Sequence, residues 1–412
     1  MKKDVIIVGG GCIGLMSAYC LQKSGRSVTV IEKNDITNGT SFGNAGLLSA
    51  FKKAPFSTPG AITETLKLML KGESPLSIHP TLDLHLLKWL LKFAASATEA
   101  RLKKTLALFE RYGQVSLDMY QSMVEDDGID FHFRKDGLLM IYTEQASFDA
   151  KAAHCTDPKA YEILSKEKTK EYMPILNDKA IGSILLKENG HIDSGEMMLA
   201  LKKYLEEKGV EFLLNEEVKR LEFEGSKVSK IRTSKDVYEA ETFVLSTGWD
   251  DTLAKQAKNK FLMTPAKGYS LTYKMDKELM PKTSALFADL FIAMTPRRET
   301  IRMTAKLELA TKNPAIVKKQ IDSMNANLAQ YTNDFERRDV IEWSGFRPLT
   351  PNDIPILGFD ENYNNLVHAT GLGWLGITFA PSIGKIISDV ITVDKKNETN
   401  VDILLFSSFF QG

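Results

Sequence analysis

Six residues near the start of the chain, Gly9-Gly10-Gly11-Cys12-Ile13-Gly14, have the types and spacing to hold a pyrophosphate. Gly9 permits a tight turn, Gly11 lets the backbone approach the phosphates, and Gly14 allows a helix to pack closely on a strand. N–H groups at a helix start, with Cys12 and Ile13 among them, attract negative charge. Glu32 stands eighteen positions after the last glycine (32 − 14). Its carboxylate can accept hydrogen bonds from both ribose hydroxyls and disfavours a 2′-phosphate. At this point the ligand is NAD or FAD.

These residues need a strand, a helix and a second strand to position them, and the flanking sequence supplies all three. Residues 4–8 (Asp-Val-Ile-Ile-Val) form an apolar β-branched run, the composition of a buried parallel strand. A helical stretch over 15–24 ends at Gly25, and residues 27–31 read as a second strand closing on Glu32. Lys33 then opens a loop rich in Gly, Ser, Thr and Asn that runs to Gly46. Thr40, Ser41, Asn44, Ala45, Gly46 and Leu47 are placed to line the middle of a long, extended cofactor. An NAD-dependent domain needs no such loop after its second strand, so the loop favours FAD.

At 412 residues, two domains are expected. Hydrophobic content of 43% and charged content of 26% are ordinary for a globular protein. The 53 basic and 53 acidic side chains balance, and no nucleic-acid-binding motif is present. Cys12, Cys20 and Cys155 lack CxxC spacing, as suits a reducing cytosol. His79, His85, His132 and His154 have no ligand spacing, so no metal is expected. With no targeting sequence before the first strand and no uninterrupted apolar run of transmembrane length, a cytoplasmic location is expected.

Helices are expected over 62–71, 82–95, 98–126 and 145–172, with strands over 131–134 and 137–142. Residues 82–95 are rich in Leu and Trp with lysines spaced along them, in a region (51–111) of ten basic and five acidic residues. Two readings stand for this helix: packing on the neighbouring domain, or peripheral contact with the inner face of the cell membrane. A strand at 181–186 precedes a helix over 196–208 capped by Asp193 or Ser194. Short strands follow at 209–214 and through 217–238, and a strand at 242–246 ends in Thr247-Gly248-Trp249. Residues 263–341 alternate as antiparallel strands with a helix near 314–330. A buried strand at 365–370 then enters a second glycine-rich turn, 371–378, and a helix to about 393. The fold class is therefore α/β. A Rossmann-type FAD-binding domain (1–78, 175–260 and 342–412) is joined to a discontinuous antiparallel-sheet α+β substrate domain (79–174 and 261–341).

Taken together, several stretches resemble the FAD-dependent D-amino-acid oxidase superfamily, most nearly its bacterial D-amino-acid dehydrogenase branch (small subunit type). They are Gly9–Gly14 with Glu32, Thr40-Ser41 with Asn44-Ala45-Gly46, Pro265-Ala266-Lys267-Gly268-Tyr269-Ser270, Gly345-Phe346-Arg347-Pro348-Leu349-Thr350-Pro351-Asn352, and Gly371–Thr378. The resemblance implies that Arg347 pairs with a substrate carboxylate, a match of planar donors that lysine cannot reproduce. It implies that Tyr269 and Thr378 lie in the substrate pocket. It further implies that Val218, Gly248 and Trp249 touch the dinucleotide, while Gly371, Leu372, Gly373, Trp374, Gly376, Ile377 and Thr378 close over the flavin. The N–H groups of that turn would stabilise negative charge on the reduced ring.

Leu372 stands where many relatives have histidine, and Thr378 where some sarcosine-oxidase-like members have lysine. No cysteine follows Cys155, so non-covalent FAD is expected. The resemblance implies hydride transfer from the α-carbon of an amino acid, most readily a D-amino acid, to flavin N5. Imine hydrolysis then gives a 2-oxo acid and ammonia, and electrons pass to a quinone or other carrier. Three rivals remain open: a secondary-amine oxidase or dehydrogenase (proline, sarcosine, glycine), a non-catalytic FAD-binding regulator, and an NAD-dependent dehydrogenase.

Overall fold

The computed structural model describes residues 3–48, 58–59, 76–79 and 81–392. Lys3–Val8 forms the centre of a six-stranded sheet, because its side chains are buried on both faces and must be covered by protein on each. The order across this sheet is Ile356–Phe359, Leu366–Thr370, Ala240–Leu245, Lys3–Val8, Val28–Ile31, Glu211–Leu213. Every neighbouring pair is parallel except the antiparallel edge strand Ile356–Phe359. On one face the first helix, Cys12–Lys23, packs against the last, Gly376–Thr392. Gly384 makes this approach possible, since a Cβ there would stand 2.5 Å from the Met16 carbonyl oxygen. The last helix is apolar enough to cross a membrane by length and composition, but most of it is buried in this core.

The second layer is a nine-stranded sheet, mostly antiparallel, with Arg338–Leu349 at its edge and Thr264–Lys274 beside it. Its one parallel pair along the main path joins Ser284–Phe287 to Leu138–Tyr142. Sheet membership divides the chain differently from the segments expected above. Leu76–Ile78, Gly182–Leu186 and all of Arg338–Leu349 belong to the large sheet. The long helix Glu99–Glu125, expected in the substrate domain, buries Leu108, Phe109, Tyr112 and Leu117 in the core of the cofactor domain.

Two local expectations are corrected. Residues 131–134 do not form a strand: His132 takes a positive φ of 54°, which breaks the extended run, and only an isolated bridge joins Arg134 to His191. Residues 145–172 are not one helical region, because Tyr161–Leu164 is a strand pairing with Gly182–Leu186 between helices Gln145–Ala152 and Lys166–Tyr172. The helix expected at 62–71 lies outside the described residues.

The helix expected at 82–95 is Leu84–Ser96, capped by Asp83, whose carboxylate accepts from the His85 and Leu86 amides. Its inner face buries Leu86 and Trp89, and the indole N–H of Trp89 donates to the Leu349 carbonyl at 3.0 Å. Its outer face leaves Leu84, Leu87 and Leu91 80%, 53% and 65% exposed, and Leu82 just before it is 99% exposed. Packing thus accounts for one side of this helix only.

Candidate functional site

The first glycine turn is built from collisions that only glycine avoids. Gly9 takes φ +109°, and a Cβ there would lie 2.5 Å from the Ser246 carbonyl oxygen. At Gly14 a Cβ would fall 1.9 Å from the Gly9 carbonyl, so strand and helix touch backbone to backbone. At Gly11, by contrast, a Cβ would meet nothing closer than Ser41 Oγ at 3.5 Å, which leaves the helix start open as a cradle. The Cys12 amide donates to Ser41 Oγ at 3.0 Å, and burial pushes the Cys12 thiol up to about 11, away from reactive thiolate chemistry. Ile13 is half-buried against the core. Glu32 accepts from the Gly10 and Asn34 amides at 2.8 and 3.0 Å, which points its carboxylate along the turn. Lys33 reaches Asp250 at 3.9 Å.

Past Glu32 the chain crosses to the large sheet. Thr40 Oγ1 donates to the Phe346 carbonyl at 2.9 Å, next to Arg347. Asn44 Oδ1 accepts from the Gly46 amide, bending the loop through the half-buried Ala45. Gly46 takes φ +78°, with the Ile192 carbonyl oxygen 2.1 Å from where a Cβ would stand. Leu47 then pairs with His191 in a two-residue ladder. Thr378 Oγ1 donates to the Leu47 carbonyl at 3.0 Å and is buried. The proton of its hydroxyl is thus committed to fixing the loop.

Opposite stands the second turn. Gly371 and Gly373 take φ +82° and +54°, and a Cβ on Gly371 would lie 2.8 Å from Thr350 Cγ2. Leu372 is buried and bridges to Leu349, and Trp374 is half-buried. Gly376 opens the last helix, and a Cβ on it would lie 3.8 Å from Cys12 Sγ, so the starts of the first and last helices meet. The Ile377 carbonyl accepts from the Tyr120 hydroxyl at 2.7 Å, which holds the turn from behind. Gly248 (φ +64°) receives the Thr370 hydroxyl on its carbonyl, and the Trp249 ring lies 5.2 Å from that of Phe346. Val218 is buried at the start of the strand Val218–Glu224, two residues after Glu216, whose amide donates to the Glu32 carbonyl at 3.0 Å. The candidate cofactor residues therefore gather along one track from Glu32 to the second turn. An open helix start, a ribose-type carboxylate and a glycine-lined path fit FAD.

Arg347 faces this track. Its guanidinium lies over Gly268, where a Cβ would stand 1.8 Å from Nη1. No hydrogen-bond or ion-pair partner engages it among the described residues, and burial lowers its pKa to about 10. Tyr269 is not beside it. Arg347 is registered against Ala266, and Gly268 is registered against Gly345, so this face of the strand carries the even-numbered positions. Tyr269 points to the other face, fully buried, with its hydroxyl donated to Glu308 at 2.5 Å. Burial and that carboxylate raise its pKa well above the usual tyrosine range.

Two residues that sequence reasoning passed over do reach the track. Arg302 donates to the carbonyls of Phe42 and Asn44 at 2.7 and 3.0 Å. Trp343 places its indole where Gly43 and Gly345 would each carry a Cβ. The pattern Thr300-Ile301-Arg302-Met303 reads as an alternating strand whose polar side faces water, and nothing local says that it faces another domain. Among the described residues no cluster of His, Cys, Asp and Glu is fit for a metal.

The family model described as FAD dependent oxidoreductase matches residues 4–390. The chain is 58% identical over 411 residues to a D-amino acid dehydrogenase of Helicobacter pylori, covering 100% of both chains. In fold it is similar to glycine oxidase from Bacillus cereus, with TM-score 0.70, 21% identity and coverage of 95% and 97% of the two chains. It is likewise similar to L-proline dehydrogenase from P. horikoshii, with TM-score 0.72, 18% identity and coverage of 100% and 98%.

Proposed function

The chain belongs to the FAD-dependent oxidoreductase family, and from that premise we propose that it is a dehydrogenase that oxidatively deaminates D-amino acids to 2-oxo acids and ammonia. The observation that carries the reading is Arg347, a guanidinium with no protein partner among the described residues, aimed over Gly268 on the sheet face that meets the cofactor loop. A carboxylate completes it with two parallel charge-assisted hydrogen bonds. Held there, the substrate presents its α-carbon toward the track between the two glycine turns, and the fixed orientation removes entropy from the reacting step. Bound FAD supplies the two-electron acceptor for the hydride leaving the α-carbon. The open start of the first helix and Glu32 would hold its pyrophosphate and ribose, and the amides of residues 373–377 would face its ring.

A quinone or other carrier is proposed as the final acceptor. The exposed leucines of Leu84–Ser96, with Lys88 beside them, support peripheral contact with the inner face of the cell membrane, an amphipathic helix lying in the lipid interface. One experiment tests these readings together. The purified protein, yellow from bound FAD, is assayed anaerobically with D- and L-amino acids, proline and sarcosine, using a short-chain quinone and anionic lipid vesicles. Reduction by D-amino acids and co-sedimentation with vesicles are expected. Bleaching by L-proline or N-methyl substrates alone refutes the D-amino-acid assignment, and failure of Leu84→Glu with Leu87→Glu to release the protein from vesicles refutes the membrane one.

A further inference from the structure

The large sheet meets the loop Thr40–Asn44 at three points, all on the face that carries Arg347. Thr40 is tied to the Phe346 carbonyl. Gly43 is covered by the Trp343 indole, whose Cδ2 lies 2.3 Å from the position a Cβ would take. Between them, Arg302 grips the loop through the carbonyls on either side of Gly43. The same guanidinium also donates to Ser194 Oγ at 3.1 Å and to Thr272 Oγ1 at 3.0 Å. Ser194 in turn donates to the same two loop carbonyls, at 3.1 and 3.0 Å.

We propose that Arg302 is a positioning residue for the reaction: it fixes the cofactor loop at a set distance from Arg347, so that a substrate held by its carboxylate meets the cofactor in register. The proposal rests on the amino-acid dehydrogenase reading of the site. Thr272 and Gly268 lie four residues apart on the strand Thr264–Lys274, about 13 Å at strand rise. This strand carries the Arg302 joint near one end, at Thr272, and lies under the Arg347 guanidinium near its middle, at Gly268. The strand therefore acts as a spacer between the loop clamp and the carboxylate clamp. Among the described residues every hydrogen-bond acceptor of Arg302 is neutral, while the neighbouring carboxylate, Asp193, is taken by Arg297. Burying a guanidinium is costly without an opposing charge. The gain is that one rigid, planar group reaches both loop carbonyls and Ser194 through Nη1 and Thr272 through Nε, a set of contacts that no neutral side chain reproduces.

The test compares the holoenzyme with Arg302→Met, Arg302→Lys and Trp343→Phe. Three quantities are read: FAD content with its visible circular dichroism, the Kd of benzoate (an unreactive carboxylate) from the flavin absorbance change, and kcat and KM with the best amino acid. Arg302→Met is expected to retain FAD and to bind benzoate within about threefold of the parent, while kcat falls about 10²-fold, the cost of a misplaced reacting geometry. Arg302→Lys recovers about a tenth of the parent rate, Trp343→Phe shows a smaller loss of the same kind, and the flavin dichroism changes with kcat. Unchanged kcat in Arg302→Met overturns the proposal. So does loss of FAD, or a parallel loss of benzoate affinity, since either marks a merely structural tie. If the parent enzyme oxidises no amino acid, the dehydrogenase reading fails by itself, and unaltered flavin dichroism in Arg302→Met then refutes the loop clamp separately.

Discussion

Arg302 and Arg347 rise from one face of the nine-stranded sheet, and burial pulls both guanidinium groups down to about 10, yet their surroundings differ in kind. Arg302 has Nε and Nη1 answered by two carbonyls and two hydroxyls of the protein. Arg347 lies against bare glycine backbone and is answered by nothing among the described residues. A buried cation held by protein acceptors belongs to the architecture, whereas an unanswered one holds its desolvation cost in reserve for a ligand. The reverse face of the sheet extends the contrast: Tyr269, Glu308 and Gln320 satisfy one another there, and Lys267 donates to the Ala315 carbonyl. That face contains charge but offers none to a substrate.

Three substitutions would break or sharpen this comparison. Arg347→Met should cost the most activity. Two hydrogen bonds to a charged carboxylate are worth about 1.5–3 kcal/mol each, so kcat/KM should fall about 10²–10⁴-fold. The same variant should leave Tm unchanged or raise it, because an uncompensated desolvated charge is removed, while Arg302→Met lowers it. Equal destabilisation by the two variants, measured calorimetrically, would erase the distinction. Gly268→Ala comes next: its methyl would stand 1.8 Å from Nη1 and push the guanidinium aside. Steady-state kinetics should show KM raised by about 10–10²-fold with FAD content unchanged. Tyr269→Phe should have the smallest catalytic effect, with KM and kcat within about twofold. Its stability in denaturant should drop by about 1–3 kcal/mol, because Glu308 loses a buried donor. A large KM change in Tyr269→Phe would put this residue back in the pocket.

The cofactor half of the site was legible because its chemistry is local. Glycines 9, 11 and 14, Glu32 and the small polar residues after it act within one βαβ unit, and their spacing is the spacing of the turn itself. Arg347 was legible through its flanking motif. The resemblance puts Tyr269 in the substrate pocket, but alternation along a strand assigns faces only relative to each other, and the sequence does not say which face meets the cofactor. Arg302 was missed for the complementary reason. A polar residue in an alternating strand looks the same whether its face meets water or a second domain. The strand Tyr161–Leu164 was hidden by its brevity and its lysine-rich flanks, where edge pairing outweighed local preference.

The six-stranded sheet has a consequence for the order of events in synthesis. Its central strand, Lys3–Val8, comes before the other strands of the sheet in the chain, yet it pairs with Ala240–Leu245, which in turn awaits Leu366–Thr370. Contacts this distant in sequence close late and slowly. The nascent protein therefore carries its pyrophosphate turn through most of translation without the strands and second turn that complete the site. Loading with flavin therefore waits for the last strand, and a chain truncated before Leu366 is expected to be colourless.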